Sequence, residues 1–174
     1  MIQVVVGSLA SQEQEGVVCP IRSDLTPLTA GARDVLLAAG PGVDERLQQL
    51  GAIPIGGAAI TPGGALGAAF IIHVVTASEE ESETSMSVQR ALRNALRRAV
   101  DWEIESLAIP PLGAGVGHME TEEAARVQVE ILVSHLDDGL PPLDVTIVAT
   151  GPYEAEVFRR LVDELTRDRF PTRP

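Results

Sequence analysis

The run Leu112-Gly-Ala-Gly-Val-Gly-His118 is the strongest chemical signal in this sequence. The small residues Gly113, Ala114, Gly115, Val116 and Gly117 leave room for backbone to approach a ligand closely. The run follows an apolar, strand-like segment, Ser106 to Ile109, which is closed by Pro110 and Pro111. It precedes a helix with an acidic first turn, Glu120 to Glu123. A strand, a glycine loop and a helix N-terminus together present unpaired N–H groups, which suit a phosphate or diphosphate. The same glycines would equally serve a tight connection, because glycine supplies unusual dihedrals wherever a chain turns. The binding reading requires main-chain N–H groups between Leu112 and His118 to be free of internal partners.

Other reactive residues are scattered. Arg22 reads either as a guanidinium clamp on a phosphate or as a surface arginine paired with Asp24. The expectation carried forward is that it faces the pocket. Cys19, beside Pro20, has no base placed near it by the sequence and reads as a buried structural thiol. His73 lies inside an apolar strand and reads as a core histidine. His118 follows the glycine loop, either as a ligand contact or as a solvated loop residue. His135 near a helix end offsets the dipole. Three histidines so spaced form no recognisable metal motif, and no metal or cofactor is expected. Tyr153 could stack on a flat ring or pack the start of the last helix.

Composition narrows the classes. The chain has 174 residues, is 45% hydrophobic but only 3% aromatic, and carries a net charge of -12. One domain with a core of Ala, Val, Ile and Leu is expected over 1–168, with a frayed tail at 169–174. So acidic a chain lacks the basic footprint of bulk nucleic-acid binding, although one local pocket can still be positive. A lone cysteine excludes an intramolecular disulfide and fits a reducing compartment. With no leader pattern and no apolar span, a cytoplasmic location and no membrane partner are expected. Oligomeric state is not legible.

The elements that would position the loop follow from periodicity. Strands are expected at Ile2–Val6, at Gly16–Cys19 (stopped by Pro20), at Gly57–Thr61 paired with Phe70–Val75, at Leu107–Ile109 and at Asp144–Ala149. Helices are expected at Thr29–Ala39, at Asp44–Leu50, around Val88, Leu92, Leu96 and Ala99, at Thr121–His135, and from Pro152 through Leu165. Ser8–Glu15 reads as a loop, and Glu79–Glu83 as an acidic surface loop. Alternating strands and helices imply a largely parallel sheet covered on both faces, with ligands outside the carboxyl ends of its strands.

These residues, in this order, resemble the macro domain family over roughly Ile2 to Leu165. Ile60-Thr61-Pro62-Gly63, Leu66 and Phe70-Ile71-Ile72-His73-Val74-Val75 are similar to its "aiTpgy.L....iIHvv" segment, and Ser106 to Gly115 to its "SiafPaisTGv" diphosphate loop. Gly7 stands where the family writes Gly-Asp-Ile-Thr, and Ala38-Ala39-Gly40 matches the end of its first ligand-loop helix. The resemblance implies an α/β fold, a three-layer α/β/α sandwich around a mixed, largely parallel sheet. It also implies ADP-ribose or a related nucleotide diphosphate as ligand, and some members hydrolyse ADP-ribosyl or acetyl-ADP-ribose esters.

The departures bear on chemistry. The family's adenine-reading Asp is Ser8, preceding Leu9. Its Asn-Ala-Ala-Asn is Cys19-Pro20-Ile21-Arg22, its hydrolytic acid falls at Ala32, and the aromatic of its diphosphate loop is Gly117. The resemblance therefore implies adenine near Ser8, Leu9 and Tyr153. The diphosphate would lie along Leu112 to His118, and the distal ribose near Cys19, Pro20, Ile21, Arg22, Ala30, Gly31 and Ala32. Binding with little or no catalysis is the first expectation. Hydrolysis through Asp24, Asp34 or His118 is the second, although the two-position offset of Asp34 from Ala32 rotates it by about 200° on a helix. An interaction module that has lost its ligand is the third.

Overall fold

Six short runs rich in valine, isoleucine and alanine pair into one sheet: β1 Ile2–Val6, β2 Gly16–Arg22, β3 Ala58–Pro62, β4 Phe70–Ala77, β5 Ser106–Ile109 and β6 Asp144–Ala149. The structure is a computed structural model and describes residues 1–114, 119–167 and 169. The strand order is β1-β6-β5-β2-β4-β3. All neighbours are parallel except β3 and β4, which are antiparallel. Helices α1 Ala30–Ala39, α2 Pro41–Leu50, α3 Ser85–Asp101, α4 Thr121–Asp137 and α5 Pro152–Thr166 connect the strands. This is the three-layer α/β/α sandwich with a mixed, mostly parallel sheet.

Strand alternation divides the core in two. Val18, Ile72, Val74, Leu107, Ile109 and Ile147 face α3, α4 and α5, where Leu92, Ala95, Val129, Leu132, Phe158 and Leu161 meet them. Val17, Cys19, Ile21, Ile71, Val75 and Val148 face the other way, onto Ala32 and Val35 of α1 and Val43 and Leu47 of α2. Most of these side chains are fully buried, each contributing about 1.5–3 kcal/mol of transfer free energy if large and aliphatic.

Two expectations about strand and helix ends need correcting. Pro20 does not stop β2, which continues to Arg22. Pairing with β5 ends at Val17, and beyond it the Pro20 carbonyl accepts from Leu28 N–H at 3.1 Å. The missing proline N–H therefore faces a loop rather than a ladder. Helix α2 starts at Pro41, not Asp44, with Pro at the first helical position after Gly40 at φ +95°. In the expected loop Ser8–Glu15, Leu9–Ser11 form a short 3-10 turn.

At the amino ends of the parallel strands, Phe70 packs against Trp102, with ring centroids 5.5 Å apart. Arg169 in the expected tail is tied to α4: its guanidinium donates to the Val133 carbonyl at 3.4 Å and pairs with Asp137. Asp168 and residues 170–174 lie outside the described residues. Among the described residues, no helix is long and apolar enough to cross a membrane.

Candidate functional site

The carboxyl ends of β1, β6 and β5 open into a cavity of about 410 Å³. Gly7, Ser8 and Leu9 line it after β1, Val148 and Thr150 at and after β6, and Pro110, Pro111 and Ala114 after β5. Thr29, Ala30, Gly31 and Asp34 contribute from the start of α1, and Glu154 from the first turn of α5. Gly7 N–H donates to the Ala149 carbonyl at 3.1 Å, so the β1–β6 ladder runs one residue past β1 and sets Gly7 beside Thr150.

Helix α1 aims its positive end at this cavity. Thr29 caps it, its hydroxyl accepting from Ala32 N–H at 3.1 Å. The N–H groups of Ala30 and Gly31 are among those a helix start leaves without an intrahelical partner, and both residues line the cavity. No acidic side chain occupies the first turn of α1, so nothing there offsets the dipole. A glycine at 31 keeps that approach open, since a Cβ there would meet only the Thr29 hydroxyl at 3.9 Å. The ionisable side chains lining the cavity, among the described residues, are both acids, Asp34 and Glu154. Glu154 is held by Thr150, whose N–H and hydroxyl donate to its Oε1 at 2.9 and 3.1 Å.

The root of the glycine loop is anchored from behind. Leu112 N–H donates to Gln128 Oε1 at 2.9 Å, and Gln128 Nε2 donates to the Pro110 carbonyl at 3.1 Å. Gly113 adopts φ +82°. Its N–H faces Glu83, whose carboxylate also accepts from the Thr76 hydroxyl at 2.5 Å. Burial raises the Glu83 carboxyl above its ordinary range, and the Thr76 and Gly113 hydrogen bonds oppose that rise. The expected acidic surface loop therefore holds for Glu79, Glu80 and Glu81, but Glu83 is a buried residue. Leu112 and Gly113 are buried, and their amides point away from the cavity into these anchors, which corrects their expected role as ligand donors. Ala114 reaches the cavity and bridges to Met119. Gly115, Val116, Gly117 and His118 lie outside the described residues.

The other expected site residues divide cleanly. Ser8, Leu9, Ala30, Gly31 and Ala114 come together around the cavity. Cys19, Pro20 and Ile21 do not: they are buried in β2. The Cys19 thiol lies 3.6 Å from the Ala32 carbonyl, and burial pushes it up to about 12, so it is no nucleophile near neutral pH. Arg22 turns to its own loop, with Nη1 donating to the Pro27 carbonyl at 2.9 Å, rather than into the cavity. Asp24 is also engaged locally, its carboxylate accepting from the Thr26 hydroxyl and N–H at 2.6 and 3.0 Å, which lowers its pKa. Tyr153 is 70% exposed and lies outside the cavity wall. Ala32 is fully buried. The helical rotation that separates it from Asp34 turns Ala32 into the core and Asp34 onto the cavity. His73 is fully buried, with Nε2 2.8 Å from the Thr61 hydroxyl. Among the described residues, no group of three His, Cys, Asp or Glu could hold a metal.

Sequence reasoning missed Thr29, Thr150, Glu154 and Gln128. Thr150 is the first residue after β6, level with Gly7 as the first after β1, so the topology carried its signal. Gln128 was visible as the lone amide among the core-facing Ala124, Ala125, Val129 and Leu132 of one helix.

Comparison with known proteins bears on this arrangement. The family model described as Macro domain matches residues 32–128. A protein of Aeropyrum pernix is 35% identical over 153 residues, covering 87% of this chain and 79% of that one. The O-acetyl-ADP-ribose deacetylase of Klebsiella pneumoniae is 29% identical over 168 residues, covering 92% of this chain and 95% of the enzyme. The Oceanobacillus iheyensis macrodomain with ADP superposes with a TM-score of 0.84 at 20% identity, covering 95% and 91% of the two chains. The Trypanosoma brucei macrodomain in complex with ADP-ribose gives 0.84 at 16% identity, covering 92% and 68%.

Proposed function

The chain belongs to the macro domain family, and from that premise we propose that it binds ADP-ribose or a related nucleoside diphosphate in the cavity at the carboxyl ends of β1, β6 and β5. The carrying observation is that the amides of Ala30 and Gly31, which a helix start leaves without intrahelical partners, and the first cavity-facing residue of the glycine loop, Ala114, open onto one space. A diphosphate bridges such donors, and main-chain N–H groups bind it without a basic side chain. Leu9, Pro110, Pro111 and Val148 supply apolar surface for a flat base, with Ser8 and Thr150 offering hydroxyls beside it. The Oceanobacillus macrodomain with ADP and the Trypanosoma macrodomain in complex with ADP-ribose support this ligand class. Calorimetric titration with ADP-ribose tests the reading. Saturable heat and a rise in melting temperature are expected, and neither appearing at millimolar ligand refutes it.

A second reading is hydrolysis of an ADP-ribosyl ester. Asp34 favours it, because it brings a carboxylate to the cavity beside Ala30 and Gly31, where it could accept a proton from an attacking water. Likeness to the Klebsiella deacetylase also supports it. Release of acetate from O-acetyl-ADP-ribose that disappears in Asp34→Asn is the expected result. Turnover unchanged in that variant removes Asp34 from the mechanism. The ligand-free interaction module gains no support from the cavity, since Arg22, Ile21 and Leu112 leave it open.

A further inference from the structure

We propose that Gln128 is a positioning residue: its fully buried carboxamide, reaching from α4 to both Pro110 and Leu112, sets the path along which the chain leaves β5 and enters the ligand loop. The inference takes its ligand from the nucleotide reading but not its geometry.

Pro110 and Pro111 have no N–H, so the end of β5 cannot continue a ladder through them. Leu112 supplies the first N–H after the prolines, and at 1% exposure it has no water to bond. The Pro110 carbonyl faces the same side. A carboxamide offers an acceptor and a donor at once, on two separate atoms of one rigid plane. Gln128 gives its oxygen to Leu112 at 2.9 Å and its nitrogen to Pro110 at 3.1 Å. This draws the backbone of 110–112 toward α4, while Pro110 and Pro111 form cavity wall on the other side. The chain that leaves Leu112 returns at Thr121 to begin the helix carrying Gln128, so one rigid element ends the loop and holds its root. An Ala–Met bridge, Ala114 to Met119, ties the two arms a second time.

The test compares two variants of the same helix. Gln128→Met keeps the length of the side chain and loses both hydrogen bonds. Val129→Ala, also fully buried, loosens the same core but leaves both Gln128 hydrogen bonds in place. Two readouts are taken: amide hydrogen exchange at Leu112, which needs no ligand, and ADP-ribose affinity by calorimetry. Gln128→Met is expected to speed Leu112 exchange by about tenfold or more beyond any change in Val129→Ala, and to weaken ADP-ribose binding by about tenfold where Val129→Ala does not. Equal exchange at Leu112 in the two variants overturns the proposal. So does equal affinity in a protein that binds ADP-ribose. Should the unaltered protein bind no ADP-ribose, the nucleotide reading falls while the exchange comparison still decides whether Gln128 holds the root. Should Gln128→Met fail to fold, Leu112 exchange in the unaltered protein decides: an amide held by Gln128 is expected to exchange as slowly as the core amides of α4, and exchange at the rate of an unprotected amide overturns the proposal.

Discussion

Gly113→Ala tests whether the loop root is held as rigidly as its contacts indicate. Residue 113 has φ +82°, a region in which a Cβ costs about 1–2 kcal/mol. A Cβ built there would lie 2.8 Å from Met119 Sδ and 3.1 Å from Val88 Cγ2. Met119 is flexible and can swing aside, but Val88 is fully buried on α3 and has little freedom to move. Overpacking of this kind adds about 1 kcal/mol or more, giving a total of about 2–3 kcal/mol. For a domain of this size that is a fall of about 5–10 °C in melting temperature. Calorimetry of the variant beside Gly42→Ala makes the comparison internal, because a Cβ at Gly42 meets nothing within 4 Å and that substitution is expected to be neutral or stabilising. The displaced root should also weaken ADP-ribose binding more than Val129→Ala does. A Gly113→Ala protein that melts with the unaltered one, or above it, refutes the reasoning about the anchored root.

Two further outcomes follow from buried and cavity-facing charge. Burial lowers His73 from 6.5 to about 4, and its Nδ1 has no partner among the described residues. The unfolded chain therefore binds this proton more readily than the fold between those values. Stability is fully present above pH 6.5 and is lost as pH falls toward 4, by up to about 3 kcal/mol. Urea titrations from pH 8 to pH 4 measure this slope, and His73→Leu keeping the same slope would assign it to other groups. Asp34→Asn removes a negative charge from the cavity wall, so ADP-ribose should bind a few-fold more tightly at low salt, with the gain fading in salt. Weaker binding to Asp34→Asn would make Asp34 a direct ligand contact instead.

The layers of this fold were legible because their signals are local and repetitive. The stripe Val88, Leu92, Leu96 and Ala99 specifies a core-facing helix, and the unbroken Phe70–Val75 run specifies a strand covered on both faces. What escaped depends on groups distant in sequence. Pro20 is tolerated in β2 because Leu28 takes the place of a neighbouring strand. Glu83 looked like the end of an acidic run, yet Thr76 and Gly113 hold it inside. The glycine run reads as a turn from its own residues, but the engagement of the Leu112 amide depends on Gln128, sixteen residues beyond it. Asp34 lines the cavity and Ala32 does not, because helix phase, not proximity to a motif, determines which side chain faces it.

The Phe70–Trp102 pair has a practical consequence for all of these measurements. Trp102 is the only tryptophan in the chain, and it stands at the end of the sheet opposite the cavity, about half exposed. Its fluorescence should follow the loss of the β4–α3 packing while staying nearly blind to a molecule bound at the far edge. Unfolding curves can thus be recorded optically in the presence of saturating nucleotide. Any shift they show would report a change in global stability rather than quenching by the bound base.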